Sequence, residues 1–294
     1  MPNFKGLIAA PFTAFHADGA LKLETITRQA ARLREDGVRG AFVCGTTGEG
    51  VSLTLDERRA VTERWCTEAL DLRIIVNVSH ACLADARTLA EHAGEVGADA
   101  LATMAPNFFK PADVTALVEY CAELASASAL PFYYYHMPAM TGVAMSMVDF
   151  LCQARERIPT FAGIKFTDYD LYEYRRCLTL AGERYDILCG RDEILLGALA
   201  TGALGAVGST YNYMAPVNLR MIAAFESGNM AKAQAIQASV AEVVAVLVRY
   251  GGLAAGKALM QTVGIDCGPV RSPLRPLTAK QIANLLRDIA ERLP

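Results

Sequence analysis

The chain has 294 residues, 53% of them hydrophobic and 20% charged, and a formal net charge of −3. That much apolar material supplies a packed core and excludes a disordered chain, and the length allows one large domain or two ordinary ones. No Lys/Arg cluster reaches the density of a nucleic-acid or polybasic membrane surface, so neither partner is expected.

At the amino terminus, Met1-Pro-Asn-Phe-Lys-Gly6 lacks a charged region followed by a long apolar run, and no signal peptide is expected. Short apolar runs then alternate with helical patterns. Strands are predicted near Leu7 (LIAA), Gly40 (GAFV), Arg73 (RIIVNV), Ala100 (ALATM), Leu130 (LPFYYY), Phe161 (FAGIKF), Asp186 (DILC) and Ala206 (AVG). Between them, Ile26, Ala30 and Leu33 make one helical face, and Val61, Trp65 and Ala69 make another. Thr54 with Glu57 reads as a capping box, and Gly37 and Gly97 fall where helices end. After the last strand, residues 231–250, 253–263 and 278–293 show helical spacing, with Pro269, Pro273 and Pro276 between the last two.

Strands alternating with helices imply βαβ units and a parallel sheet. Eight of them fit a closed (β/α)8 TIM barrel better than an open sheet. The expected architecture is a barrel over residues 1–224 carrying the active site, with a C-terminal helical extension over residues 225–294. No stretch reaches the roughly 18–20 uninterrupted apolar residues of a membrane span. The eight cysteines are scattered without a CxxC pair, mostly in apolar periodic segments, and read as free thiols in a reducing compartment. A cytoplasmic protein is expected.

In such barrels the active site forms at the C-terminal ends of the strands. That rule brings together Thr46 and Thr47 after the second strand, Tyr135 at the end of the fifth, Lys165 and Thr167 at the end of the sixth, Gly190, Asp192 and Glu193 after the seventh, and Ser209 after the eighth. Lys165 ends an apolar run, where desolvation lowers a lysine pKa and leaves a neutral amine that attacks carbonyls. Lysine is seldom buried without cause, so a purely structural role is the weaker reading. Tyr135 is placed to move protons near it; Tyr133 and Tyr134 point to opposite faces and read as packing residues. His136 reads as a loop histidine rather than a catalyst.

Gly45-Thr-Thr-Gly-Glu-Gly50 is a tight turn whose amides and hydroxyls suit a small carboxylate; it lacks the Lys-Ser/Thr of a phosphate-binding loop. Asp192-Glu193 reads either as acids at a helix N-terminus or as acceptors for sugar hydroxyls. No His/Cys/Asp/Glu grouping has metal-ligand spacing, so no metal and no cofactor is expected.

At these residues the chain resembles the N-acetylneuraminate lyase branch of the pyruvate-dependent class I aldolases, a superfamily shared with dihydrodipicolinate synthase. Gly45–Gly50 looks like the pyruvate-carboxylate loop. Tyr135-His-Met-Pro-Ala-Met-Thr-Gly142 looks like the lyase form of the tyrosine motif, and Gly163-Ile-Lys-Phe-Thr167 matches the Schiff-base lysine with its following threonine. Gly190-Arg-Asp-Glu193 and Gly205-Ala-Val-Gly-Ser-Thr-Tyr-Asn212 resemble the sugar-binding loops. The synthase branch usually carries an arginine shortly after the tyrosine motif; Ala139-Met140 stand there instead. A tyrosine often lent across the subunit interface is replaced by Phe108-Phe109, which removes the basis for expecting a cross-subunit proton relay.

The resemblance implies that Lys165 forms an imine with N-acetylneuraminate, a sialic acid, and that Tyr135, alone or with the substrate's own carboxylate, takes the C4 hydroxyl proton. Thr46 and Thr47 would fix the carboxylate, with Thr47 orienting the tyrosine hydroxyl. Asp192, Glu193 and Ser209 would hold the polyhydroxyl tail. The products would be pyruvate and N-acetylmannosamine, and the assembly a homotetramer. It gives Arg191 no role. The alternatives are a related pyruvate aldolase or synthase, and a catalytically silent barrel that binds sugar acids.

Overall fold

The computed structural model describes residues 4–292. Eight parallel strands close in chain order: β1 (Gly6–Ala9), β2 (Gly40–Val43), β3 (Arg73–Asn77), β4 (Ala100–Thr103), β5 (Phe132–His136), β6 (Phe161–Phe166), β7 (Asp186–Cys189) and β8 (Gly205–Gly208), which pairs back onto β1. The helices on the outside are α1 (Thr25–Glu35), α2 (Leu55–Glu68), α3 (Leu83–Glu95), α4 (Val114–Ala125), α5 (Pro138–Thr141), α6 (Met147–Arg157), α7 (Leu171–Ala181), α8 (Leu195–Ala200) and α9 (Tyr211–Glu226). The extension is α10 (Met230–Arg249), α11 (Leu253–Met260) and α12 (Ala279–Ala290). This is the expected TIM barrel with added C-terminal helices.

Local chemistry places the boundaries. The Thr54 hydroxyl accepts from Glu57 N at 3.2 Å, while the Glu57 carboxylate accepts from Thr54 N at 2.9 Å, so the expected capping box starts α2. Gly37 and Gly97 turn the chain at φ +76° and +81°, a region that side chains with a Cβ avoid. Ile26, Ala30 and Leu33 are the buried face of α1, as read from their spacing. On α2, Val61 and Trp65 are buried, whereas Ala69 is the half-buried C-cap.

Strand alternation divides the core into two shells. Inside the barrel lie Ile8, Phe42, Ile75, Tyr133, Leu188 and Val207. A larger shell, including Tyr134 and Phe150, fills the space between strands and helices. Strand β6 departs from simple alternation. Phe132 pairs with Phe161 but Tyr133 pairs with Gly163, so Ala162 is an extra residue, a bulge in β6. Phe161 faces the helices and Ala162 the barrel; beyond the bulge Ile164 and Phe166 again face the helices. The shifted phase turns Lys165 inward.

The C-terminal extension is clamped onto the loop after β2. Glu49 and Lys257 form an ion pair of 2.7 Å, with side chains 1% and 2% exposed. Lys257 also donates to Pro269 O at 2.7 Å, and Arg271 N donates to the other Glu49 oxygen at 2.8 Å. The Arg271 guanidinium binds the Glu57 carboxylate and the carbonyls of Ser52 and Gly19. The expected division after residue 224 falls within the last turn of α9.

All eight cysteines are free. Helix α10 has the length and mean hydropathy of a membrane span, but carries Lys232, Glu242 and Arg249 and packs along α9.

Candidate active site

The carboxyl ends of the strands open into a cavity of about 750 Å³. Lys165 stands on its floor, 4% exposed. Its Nζ lies 3.9 Å from the ring centroid of Phe42 and 3.9 Å from that of Tyr135. Burial drives its pKa down to about 7, with Asp192 pulling the other way. An amine in these surroundings is substantially neutral at physiological pH and nucleophilic.

Tyr135 is the register partner of Lys165 on β5. The hydroxyls of Tyr135 and Thr46 lie 3.2 Å apart, and both approach Met137 Sδ, at 3.0 and 3.4 Å. Burial pushes the Tyr135 hydroxyl upward in pKa, against the hydrogen bond from Thr46. Thr46 therefore occupies the orienting position expected of Thr47. Thr47 lines the cavity and is almost buried. The Thr167 hydroxyl, also buried, lines the cavity and acts with Thr46 to hold the Tyr135 pKa down against burial.

Across the cavity, Asp192 and Glu193 lie on the 3₁₀ turn after β7. One Asp192 oxygen accepts from Thr210 N at 2.9 Å and from the Thr210 hydroxyl at 2.8 Å. The other oxygen lies where a side chain at Gly208 would go: a Cβ there would stand 1.7 Å from it. Gly190 is equally constrained, since a Cβ would meet the Thr167 hydroxyl at 1.9 Å. Asp192 is 5% exposed, and burial raises its pKa to about 6, opposed by the Thr210 hydrogen bonds. Glu193 accepts from the Tyr169 hydroxyl at 2.6 Å, and Ser209 completes this side of the lining.

All nine residues expected at the site, Lys165, Tyr135, Thr46, Thr47, Thr167, Gly190, Asp192, Glu193 and Ser209, thus line one cavity. His136 points away from it, packed on Phe166, with its pKa lowered to about 4 by burial. Among the described residues no group of three or more His, Cys, Asp or Glu side chains could hold a metal ion.

Other lining residues were not anticipated. Tyr169 follows the Lys165 strand by three residues, and Thr210 adjoins Ser209; extending the strand-end rule by a few positions finds both. Ala241, Val244, Ala245 and Val248 form an apolar wall from α10, at a helical spacing that does not itself say which neighbour it faces. Arg191 also lines the cavity, so the site is not without a cation; the guanidinium is engaged by Glu193, Nη1 to Oε1 being 3.6 Å. Phe108 and Phe109 are 83% and 86% exposed and lie outside this cavity.

The fold and this cluster at the strand ends together define a (β/α)8-barrel enzyme. The chain belongs to the dihydrodipicolinate synthetase family, whose model matches residues 3–292. It is 45% identical over 278 residues to N-acetylneuraminate lyase A of Xenopus laevis, covering 92% of this chain and 91% of that one. It is 41% identical to the human N-acetylneuraminate lyase, over 93% of this chain and 88% of the relative. The structure of Proteus mirabilis N-acetylneuraminate lyase superposes with a TM-score of 0.96 at 44% identity, over 99% of both chains. A dihydrodipicolinate synthase from Bacillus anthracis gives 0.94 at 27% identity over both full chains. The backbone is thus shared by both branches, whereas sequence identity is higher with these three lyases, at 41–45%, than with this synthase, at 27%.

Proposed function

We propose that the protein is a class I pyruvate aldolase that cleaves N-acetylneuraminate to N-acetylmannosamine and pyruvate. The observation that carries this reading is the buried amine of Lys165, beside Tyr135 and Thr46, facing a polar wall of Asp192, Glu193 and Ser209. The high identity to named lyases over nearly the whole chain supports it.

In the mechanism the neutral Lys165 amine adds to the C2 keto carbon of the open-chain sugar acid and loses water to give a protonated imine. The C3–C4 bond then breaks; its electron pair passes into the imine, giving an enamine, while the C4 hydroxyl proton passes to the Tyr135 hydroxyl as that hydroxyl gives its own proton to the substrate's carboxylate. C4 leaves as the aldehyde of N-acetylmannosamine. Protonation of the enamine at C3 and hydrolysis release pyruvate and restore the amine. Thr46 and Thr47 hold the carboxylate and Thr46 orients Tyr135. Asp192, Glu193, Ser209 and the backbone at Gly190 position the hydroxylated tail, reducing the entropy lost in reaching the reactive geometry. A synthase-type aldehyde with its own carboxylate would need an unpaired cation, whereas Arg191 is paired with Glu193.

The same reading makes the enzyme a cytoplasmic homotetramer. Free cysteines suit a reducing compartment, and the exposed Phe108-Phe109 pair offers apolar surface to another copy. Sedimentation at the mass of a dimer or monomer would contradict the tetramer.

Borohydride added with pyruvate tests the chemistry. A reduced adduct on Lys165, and release of pyruvate from N-acetylneuraminate by the wild type but not by Lys165→Ala, are expected. An adduct on another lysine, or condensation of pyruvate with aspartate semialdehyde far faster than sialic acid cleavage, would reject it.

A further inference from the structure

Tyr169, Arg191 and Glu193 close a triangle at the cavity rim, joining the loops after β6 and β7. The Tyr169 hydroxyl donates to Glu193 Oε1 at 2.6 Å. Arg191 Nη1 lies 3.6 Å from the same oxygen, and the guanidinium carbon stands 4.3 Å from the centroid of the Tyr169 ring. All three side chains line the cavity. Tyr169 is 56% exposed, so this arrangement is not needed to fill the core.

Its chemical effect is specific. Both neighbours engage Oε1, which leaves Glu193 Oε2 as the acceptor for a hydroxyl in the cavity. The carboxylate is fixed before that hydroxyl arrives, and less rotamer freedom is lost on binding. The opposite charges of Arg191 and Glu193 also make the rim polar without net charge, which suits a neutral polyol and offers nothing to a second anionic group. Tyr169 lies four residues beyond Lys165, so the triangle is tied to the nucleophile through β6.

We propose that Tyr169 and Arg191 are specificity-determining positioning residues, which hold Glu193 for the polyhydroxyl end of the substrate. The proposal rests on the lyase reading above and deepens it. The stacked, forked guanidinium is the part that matters, so lysine is not an equivalent.

The test compares Tyr169→Phe, Arg191→Met and Arg191→Lys with wild type in two assays: cleavage of N-acetylneuraminate, and the pyruvate concentration that half-saturates borohydride trapping. Each variant is expected to lose ~tenfold in kcat/KM for cleavage, chiefly through a higher KM, with Arg191→Lys recovering little. Trapping by pyruvate, which has no hydroxylated tail, should not change. Wild-type kinetics in the variants, or an equal loss in both assays, would overturn the proposal. Wild-type turnover of N-acetylneuraminate, measured alongside, reports on the lyase reading separately.

Discussion

The Lys165 amine lies over the face of the Tyr135 ring, 3.9 Å from its centroid, while the Tyr135 hydroxyl is directed to Thr46 and Met137. A ring face attracts a cation and favours the protonated amine. Burial opposes this and wins, since the pKa falls to about 7. The packing that holds the lysine against the ring therefore also supplies its nucleophile.

A pH dependence follows. Imine formation requires the neutral amine, so pyruvate trapping should rise as pH increases through about 7. Stability carries the same signature. Below the unfolded value of 10.5 the unfolded chain binds a proton that the folded chain holds only below about 7. Wild-type stability should therefore increase between those pH values, by an amount on the order of 3–5 kcal/mol before other groups titrate. Lys165→Met should be more stable than wild type at pH 7 and lack this rise. Urea unfolding at several pH values checks it; a parallel pH response in the two proteins would refute it.

Asp192 makes a second, separable contribution. Its charge favours protonated Lys165, so Asp192→Asn should move the acid limb of the trapping profile to lower pH. It should also lower kcat/KM for N-acetylneuraminate by roughly ten- to a hundredfold through the lost acceptor. Glu193→Ala should give a similar loss without moving the limb. Trapping profiles beside cleavage kinetics distinguish these effects.

Gly163→Ala should be far more harmful than its size implies. A Cβ at Gly163 would lie 2.0 Å from the Asp186 carbonyl oxygen of the neighbouring strand. Backbone cannot yield as a side-chain tip can, so β6 and β7 must separate. Loss of the cooperative melt, or a folded protein that no longer traps pyruvate, is expected. A variant with wild-type melting and trapping would show that the strands absorb the methyl.

Lys257→Met tests the clamp on the carboxylate loop. It leaves Glu49 buried without its cation, which costs about 3–5 kcal/mol in comparable pairs. Since Glu49 belongs to the Gly45–Gly50 loop, the pyruvate concentration that half-saturates trapping should rise several-fold. A lowered melting temperature with unchanged pyruvate saturation would limit the pair to stability alone.

The strands were readable because each is a short apolar run bounded by turn residues, and β2, β6 and β7 match their predicted segments residue for residue. The strand-end rule then gathered residues as far apart as Thr46 and Ser209 into one cavity. Other features depend on packing that no local pattern records. The apolar face of α10 could equally have met the barrel, and Thr46 and Thr47 differ only in which hydroxyl the turn aims at Tyr135. The Tyr169–Glu193 hydrogen bond links two loops whose separation is set by the fold.

The bulge at Ala162 has a consequence of arithmetic rather than chemistry. A strand has two sides, so the side on which a residue emerges depends on whether the count to it is odd or even. Phe161-Ala-Gly-Ile-Lys reaches the barrel interior at Lys165 only because one residue goes uncounted by β5. Regular pairing of all five residues, with Ala162 counted, would keep every reactive group in the chain yet send the amine into the helical layer, beyond reach of a keto acid. Activity here depends on parity, a property that substitutions of polar residues one at a time would never reveal.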